Sequence, residues 1–173
     1  MKTDVLIIGA GQAGAMTAIA LRQKKYKGSI TIIGEEEHLP YQRPPLSKNF
    51  LAGISPTKNL YLKSSTYYEK NQINILLNKS VININRTNKN IELKDGSKFY
   101  YKKLVIAVGS KLNILDIHCD KKDIYYLKTI NDSIKIRSLL DKQKKIVIIG
   151  AGYIGLEIAA AACKKNHKIT ILE

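Results

Sequence analysis

One phrase occurs twice in this chain and constrains its fold more than any other feature. "VLIIGAGQAGAMTAIALRQKKYKGSITIIGE" runs from Val5 to Glu35, and "IVIIGAGYIGLEIAAAACKKNHKITILE" runs from Ile146 to Glu173. Each reads as a short apolar run, a G-x-G-x-x-G turn, a helix of small residues, a second apolar run and an acid. A β-branched apolar run bounded by glycine suits a central parallel strand buried on both faces. The fold class is therefore α/β, and each phrase opens a dinucleotide-binding βαβ unit. The two copies begin about 140 residues apart, far beyond the roughly 20 to 50 of a solenoid repeat, so they belong to two related domains rather than an array.

The glycines divide the work. Gly9 permits the tight turn, Gly11 leaves no side chain where a pyrophosphate must approach the backbone, and Gly14 lets helix and strand pack closely. The phosphates then meet the free N–H groups and the dipole of a helix N-terminus. That helix is expected from Gln12 to about Lys25, and the next strand from Ser29 to Ile33. Glu35, 21 residues after Gly14, is the candidate to hold the ribose hydroxyls. Glu36 and Glu37 are alternatives, because Gly34 occupies the strand-end position where the acid often stands. In the second copy Gly150, Gly152 and Gly155 repeat the spacing, and Glu157 lies inside the helix. Glu173 follows the strand Lys168 to Leu172, 18 residues beyond Gly155. A carboxylate there binds the free 2′-hydroxyl of NAD and repels the 2′-phosphate of NADP.

With 45% hydrophobic and 25% charged residues, a chain of 173 residues suits one or two globular domains. The formal net charge of +15 invites a nucleic-acid or anionic-membrane surface. The lysines, however, are scattered in pairs (Lys24-Lys25, Lys102-Lys103, Lys121-Lys122, Lys144-Lys145, Lys164-Lys165), expected mostly at helix ends and in loops, and no basic block stands out. No nucleic-acid partner is expected, whereas an acidic protein partner suits the charge. Cys119 and Cys163 lie 44 residues apart and form neither CxxC nor a metal-ligand spacing, so neither a disulfide scaffold nor a metal site is indicated. Cys163, among alanines, is expected as a core thiol. The apolar stretch from Val5 to Leu21 is broken by glycines and Gln12, and no leader precedes it, so no membrane insertion and a cytoplasmic location are expected.

Between the two phrases stands "HLPYQRPPLSKNFLAG", from His38 to Gly53. Pro44-Pro45 is expected to fix a stiff, extended course with Arg43 on one side and Ser47-Lys48 on the other, Ser47 capping a helix that begins at Lys48. The same segment also reads as a rigid surface loop with solvated charges. Further on, "IELKDGSKFYYKKLVIAVG" reads as a strand, an Asp95-Gly96 turn, a strand and then a separate apolar strand from Leu104 to Val108. Such a β-meander returns the chain to the first sheet.

Here the chain resembles the FAD-dependent NADH:ferredoxin reductases of the putidaredoxin and rubredoxin reductase type, within the pyridine nucleotide-disulfide oxidoreductase superfamily. "PYQRPPLSK" is close to a family signature, and the likeness continues through "LYLKSSTYYEKNQINILLN", "LKDGSKFYYKKLVIAVGSKLN", "YLKTINDSIKIR" and "IVIIGAGYIGLEIA". It implies a Rossmann-like FAD-binding domain with a β-meander over residues 1–112, a connector over 113–140 and the first βαβ of a Rossmann-like NAD-binding domain over 141–173, the chain being truncated relative to full members. It places the FAD phosphates at Gly9, Gly11, Ala13 and Gly14, the adenosine ribose at Glu35 and the adenine at the backbone of Val81. Arg43 and Lys48 would approach the flavin, Lys48 as the catalytic charge near the reactive ring. Ala107, Gly109 and Lys128 would join the FAD site. The family usually has Ala-Thr-Gly where this chain has Ala107-Val108-Gly109, and arginine where it has Lys111 and Lys128. Lysine keeps the charge but loses the bidentate fork. NADH would lie at Gly150, Gly152, Ile154, Gly155 and Glu173.

The implied activity passes electrons from NADH through FAD to a ferredoxin-type [2Fe-2S] or rubredoxin carrier. Related dithiol reductases carry a redox cysteine pair after the first fold, and residues 36–52 contain no cysteine here, so the electrons must leave the flavin by another route. A flavoprotein subunit of the nitrite reductase or NADH oxidase type, and a non-catalytic FAD-binding fragment, remain alternatives.

Overall fold

The computed structural model describes residues 1–116, 123–141 and 145–173. Cys119, Lys121, Lys122 and Lys144 lie outside the described residues. The chain divides into two compact units, one comprising Met1–Gln42 and Tyr61–Ser110, the other Arg43–Leu60 and Lys111–Glu173.

The first unit is built on a six-stranded sheet of β1 (Lys2–Ile8), β2 (Ile30–Ile33), β3 (Ile73–Leu76), β4 (Val81–Asn85), β5 (Asn90–Leu93) and β6 (Lys98–Ile106), in the order β3-β2-β1-β6-β5-β4. β3, β2, β1 and β6 run parallel; β5 and β4 add an antiparallel ladder. Leu6, Ile7, Ile30, Ile32 and Ile33 are almost completely buried, as apolar runs in central parallel strands require. Helix α1 (Gln12–Gln23) packs Ala18 and Ile19 on one face, together with Tyr68 of α2 (Ser65–Lys70). The other face joins Leu6, Ile8 and Ile33 to Ile91, Leu93 and Phe99.

Two boundaries differ from expectation. α1 stops at Gln23 rather than near Lys25, because Lys25 takes a left-handed φ of 59° and Arg22 turns back to donate to the carbonyls of Tyr26, Gly28, Asn71 and Gln72 at 2.7–2.8 Å. The separate strand expected at Leu104 to Val108 is instead the second half of β6. Its residues Lys98–Tyr100 pair antiparallel with β5, while Tyr100–Ile106 pair in parallel with β1. No turn residue interrupts Tyr101–Leu104, so the strand simply continues. Lys102 and Lys103 therefore lie in a strand rather than a loop.

The second unit contains α3 (Ile130–Leu140), β7 (Lys145–Ile149), α4 (Tyr153–Cys163) and β8 (Lys168–Leu172), with β7 and β8 paired in parallel around α4 as a βαβ unit. α3 opens on a capping box between Thr129 and Asp132. Leu51, Ile136, Leu140 and Ala162 form the core, with Ile146, Ile158 and Ile169 against it.

Pro44–Ser47 is a 3₁₀ turn and not the expected extended rod. Proline's fixed φ suits the first turn of a helix, where its missing N–H is not needed. Ser47 ends that turn and caps no helix at Lys48. Its backbone is anchored from α3, where the buried Ser133 hydroxyl donates to Leu46 O at 2.7 Å. Cys163 is exposed rather than a core thiol, because α4 buries Ala159 and Ala162 and leaves its C-terminal residue outside. Among the described residues no helix is long and apolar enough to cross a membrane.

Candidate dinucleotide sites

Each glycine turn follows from what a side chain would strike. Gly9 has φ +113°, and a Cβ there would lie 2.1 Å from the carbonyl oxygen of Ala107. A Cβ on Gly14 would lie 2.0 Å from the carbonyl oxygen of Gly9. Both glycines are thus required by the protein's own packing, which brings Ala107 against the turn; its N–H donates to Ile8 O at 2.7 Å. Gly11 differs: a Cβ there meets nothing within 4 Å. It is the N-cap of α1 and has no side-chain partner for the free N–H groups of the first turn. The open space over Gly11, in front of those N–H groups, suits an anion. Gly109, beyond β6, takes φ +71°.

The acid position is equally specific. A Cβ on Gly34 would lie 2.4 Å from the Cβ of Ala10, so the strand-end position cannot hold an acid. Of the next three, Glu36 accepts from the Tyr41 hydroxyl at 2.6 Å and Glu37 lies 3.7 Å from His38 Nε2. Glu35 is exposed and accepts a 3.0 Å hydrogen bond from Ser80 Oγ, one residue before Val81 at the start of β4.

At the opposite, N-terminal ends of the parallel strands a crevice of about 440 Å³ is lined by Lys2, Asp4, Lys89, Tyr100 and Lys102 among others. The hydrogen bond from Lys102, with two more from Ser29, holds the Asp4 carboxyl down at about 2. Ligands of such sheets bind beyond the carboxyl ends of the strands, so this crevice is not the dinucleotide site.

In the second unit Gly150 takes φ +100°, and a Cβ on Gly155 would lie 2.3 Å from Gly150 O, whereas one on Gly152 would meet nothing within 4 Å. The second turn repeats the first except at Gly150, where a Cβ would meet nothing within 4 Å, and Ile154 is exposed on the opening turn of α4. The Glu173 carboxylate accepts from the Ala151 N–H, which places it beside the glycine turn. The structure also brings Arg43 to Lys128, whose carbonyl accepts from Arg43 Nη1 at 2.5 Å. Lys48 Nζ lies 2.5 Å from Glu157 Oε1, and Ser47 Oγ lies 2.5 Å from Glu157 Oε2. These two donors, Lys48 first, hold the Glu157 carboxyl below the usual range. Sequence reasoning noted Glu157 without giving it a role, and passed over Ser80. The signal for Glu157 was an acid within an otherwise apolar helix; nothing local marks Ser80. Among the described residues no group of three or more His, Cys, Asp or Glu could hold a metal ion.

A family profile for pyridine nucleotide-disulphide oxidoreductases matches residues 3–173. The chain is 36% identical over 171 residues to rhodocoxin reductase of Rhodococcus erythropolis, covering 98% of this chain and 40% of that protein. It is 39% identical over 171 residues to the 3-phenylpropionate/cinnamic acid dioxygenase ferredoxin–NAD(+) reductase component of Photorhabdus laumondii subsp. laumondii, covering 97% of this chain and 43% of the relative. Among solved structures, the reductase of the covalent putidaredoxin reductase–putidaredoxin complex superimposes with a TM-score of 0.92 at 36% identity, over 99% of this chain and 42% of that one. The chain thus spans about two-fifths of the length of these relatives.

Proposed function

The chain belongs to the pyridine nucleotide-disulphide oxidoreductase family, and from that premise we propose that it serves an FAD-dependent oxidoreductase passing electrons from NADH to a ferredoxin-type [2Fe-2S] or rubredoxin carrier. The observation that carries this reading is the contrast within the first turn. Gly9 and Gly14 are demanded by backbone contacts at 2.1 and 2.0 Å, while Gly11 is open and faces an uncapped helix N-terminus. A glycine that the fold's own packing does not require leaves room for a ligand.

Gly9, Gly11, Ala13 and Gly14 would hold the FAD pyrophosphate, Glu35 the ribose and the backbone of Val81 the adenine, with Ala107 and Gly109 beside the turn. Arg43, Lys48 and Lys128 carry the positive charge assigned to the flavin end. Gly150, Gly152, Ile154, Gly155 and Glu173 would hold NADH. Held by these residues, FAD would supply hydride acceptance from NADH and release of electrons one at a time. The chain's contribution is to hold phosphates on backbone N–H groups and to place charge. A net charge of +15 favours encounter with an acidic carrier, and a cytoplasmic setting belongs to the same proposal.

The test is to load a protein extended to its relatives' full length with FAD, mix it anaerobically with NADH and follow the visible flavin band, then add a ferredoxin. Saturable bleaching followed by ferredoxin reduction supports the reading. A flavin that keeps its colour under excess NADH overturns it.

A further inference from the structure

We propose that Ser80 is a positioning residue for the adenosine end of the FAD site, holding Glu35 in the orientation that grips the ribose. The inference rests on the cofactor reading above and deepens it. Its origin is the close approach of Ala10 to Gly34: a side chain at Gly34 would start 2.4 Å from the Ala10 methyl, so the acid is displaced by one residue to Glu35. Glu35 lies outside β2, which ends at Ile33, and is exposed. A glutamate in that position has three free side-chain torsions and costs conformational entropy each time a ligand fixes it. Ser80 Oγ donates to Glu35 Oε1 at 3.0 Å, and among the described residues nothing else bonds the carboxylate.

Ser80 is itself fixed from both sides. Gly34 N donates to Leu76 O at 2.8 Å, Lys79 N to Gly34 O at 2.9 Å and Asn78 N to Glu36 O at 3.2 Å, so the segment leading to Ser80 is zipped to the segment carrying Glu35. Lys94 N donates to Ser80 O at 2.9 Å on the β5 side. The brace therefore runs from a part of the backbone that the sheet already holds, and it ends one residue before Val81. Backbone hydrogen bonds thus tie the segment carrying the acid to the start of β4.

The test measures dissociation constants of FAD, ADP and FMN for the wild type and for Ser80→Ala, Ser80→Thr, Glu35→Gln and the Ser80→Ala/Glu35→Gln double variant, with melting temperatures as a folding control. Ser80→Ala is expected to weaken FAD and ADP roughly three- to tenfold, as loss of one ordinary, solvent-exposed hydrogen bond does. FMN, which lacks the adenosine, is expected to be unaffected. Ser80→Thr, which keeps the hydroxyl, restores affinity, and Ser80→Ala adds nothing in the Glu35→Gln background. A wild type that binds FAD and ADP while Ser80→Ala binds them equally well overturns the inference alone. An FMN affinity that falls in parallel also overturns it, because the effect is then not confined to the adenosine. A wild type that takes up neither FAD nor ADP overturns the cofactor reading and this inference together.

Discussion

Lys48 and Glu157 stand 109 residues apart in the chain, and their ammonium nitrogen and carboxylate oxygen lie 2.5 Å apart. The second carboxylate oxygen accepts from the Ser47 hydroxyl. Lys48, the cation proposed to approach the flavin, is therefore one half of an ion pair, and its field is set by the ionisation of a residue on α4. Glu157→Gln keeps the shape and removes the charge. The Glu157 carboxyl is held below its ordinary value, so the native state binds its proton less tightly than the unfolded chain does. The pair's stabilisation is then present above the ordinary carboxylate range and is lost as pH falls through the lowered value. The variant is expected to melt a few degrees below wild type near neutrality and to converge with it in acid. A gap that stays constant down to strongly acidic pH would show that charge is not what joins them.

The two kinds of glycine predict opposite phenotypes. Gly9→Ala forces a methyl to within 2.1 Å of a backbone oxygen at φ +113°, and should cost at least about 2 kcal/mol in denaturant unfolding. Gly11→Val has open space and ordinary dihedrals of −82° and −174°, so it should leave the melting temperature nearly unchanged while abolishing flavin uptake. Flavin retained at wild-type stoichiometry in Gly11→Val would remove the pyrophosphate from this turn.

Tyr68 is 2% exposed, and its hydroxyl has no hydrogen-bond partner among the described residues. An orphan buried hydroxyl keeps its desolvation cost, so Tyr68→Phe is expected to stabilise the fold by about 1 kcal/mol. Burial first, and the neighbouring Tyr67 second, push the Tyr68 hydroxyl up to about 12 from an ordinary 10.0. The unfolded chain therefore loses this proton first as pH rises, and the stability it contributes is complete below pH 10.0 and falls away towards 12. The advantage of Tyr68→Phe should widen over that interval in alkaline melts. A destabilised Tyr68→Phe would mean that the hydroxyl is satisfied after all.

Glu173 accepts from the Ala151 N–H beside the second glycine turn. A carboxylate there would bind a ribose 2′-hydroxyl and repel a 2′-phosphate, a difference of about ten- to a hundredfold between NADH and NADPH. Dissociation constants for the two dinucleotides should show that preference, and Glu173→Ala should collapse it. Equal affinities in the wild type would take Glu173 out of the site.

The βαβ units were legible in the sequence because both of their determinants are local. Apolar β-branched runs such as Val5–Ile8 and Ile146–Ile149 form strands in both units, although only the first is buried and Val147 and Ile149 of the second are 61% and 57% exposed, and a G-x-G-x-x-G turn restricts the backbone between strand and helix to few conformations. What only the tertiary structure decided depends on atoms far apart in the chain. Pro44-Pro45 is compatible with an extended rod and with a 3₁₀ turn, and the bond from Ser133 to Leu46 O accompanies the second. Ser47 is a good cap by type, yet its hydroxyl is taken by Glu157. Leu104–Ile106 joins Lys98–Lys103 in one strand because β1 offers a continuous parallel edge from Lys2 to Ile8. Glu35 became the ribose candidate by counting residues, but the reason for its displacement is a methyl on Ala10, and its brace is a serine 45 residues away. Spacing along a chain determines which groups can be offered; only packing determines which neighbour each one meets, because a hydrogen bond or a van der Waals clash is settled within a few tenths of an ångström.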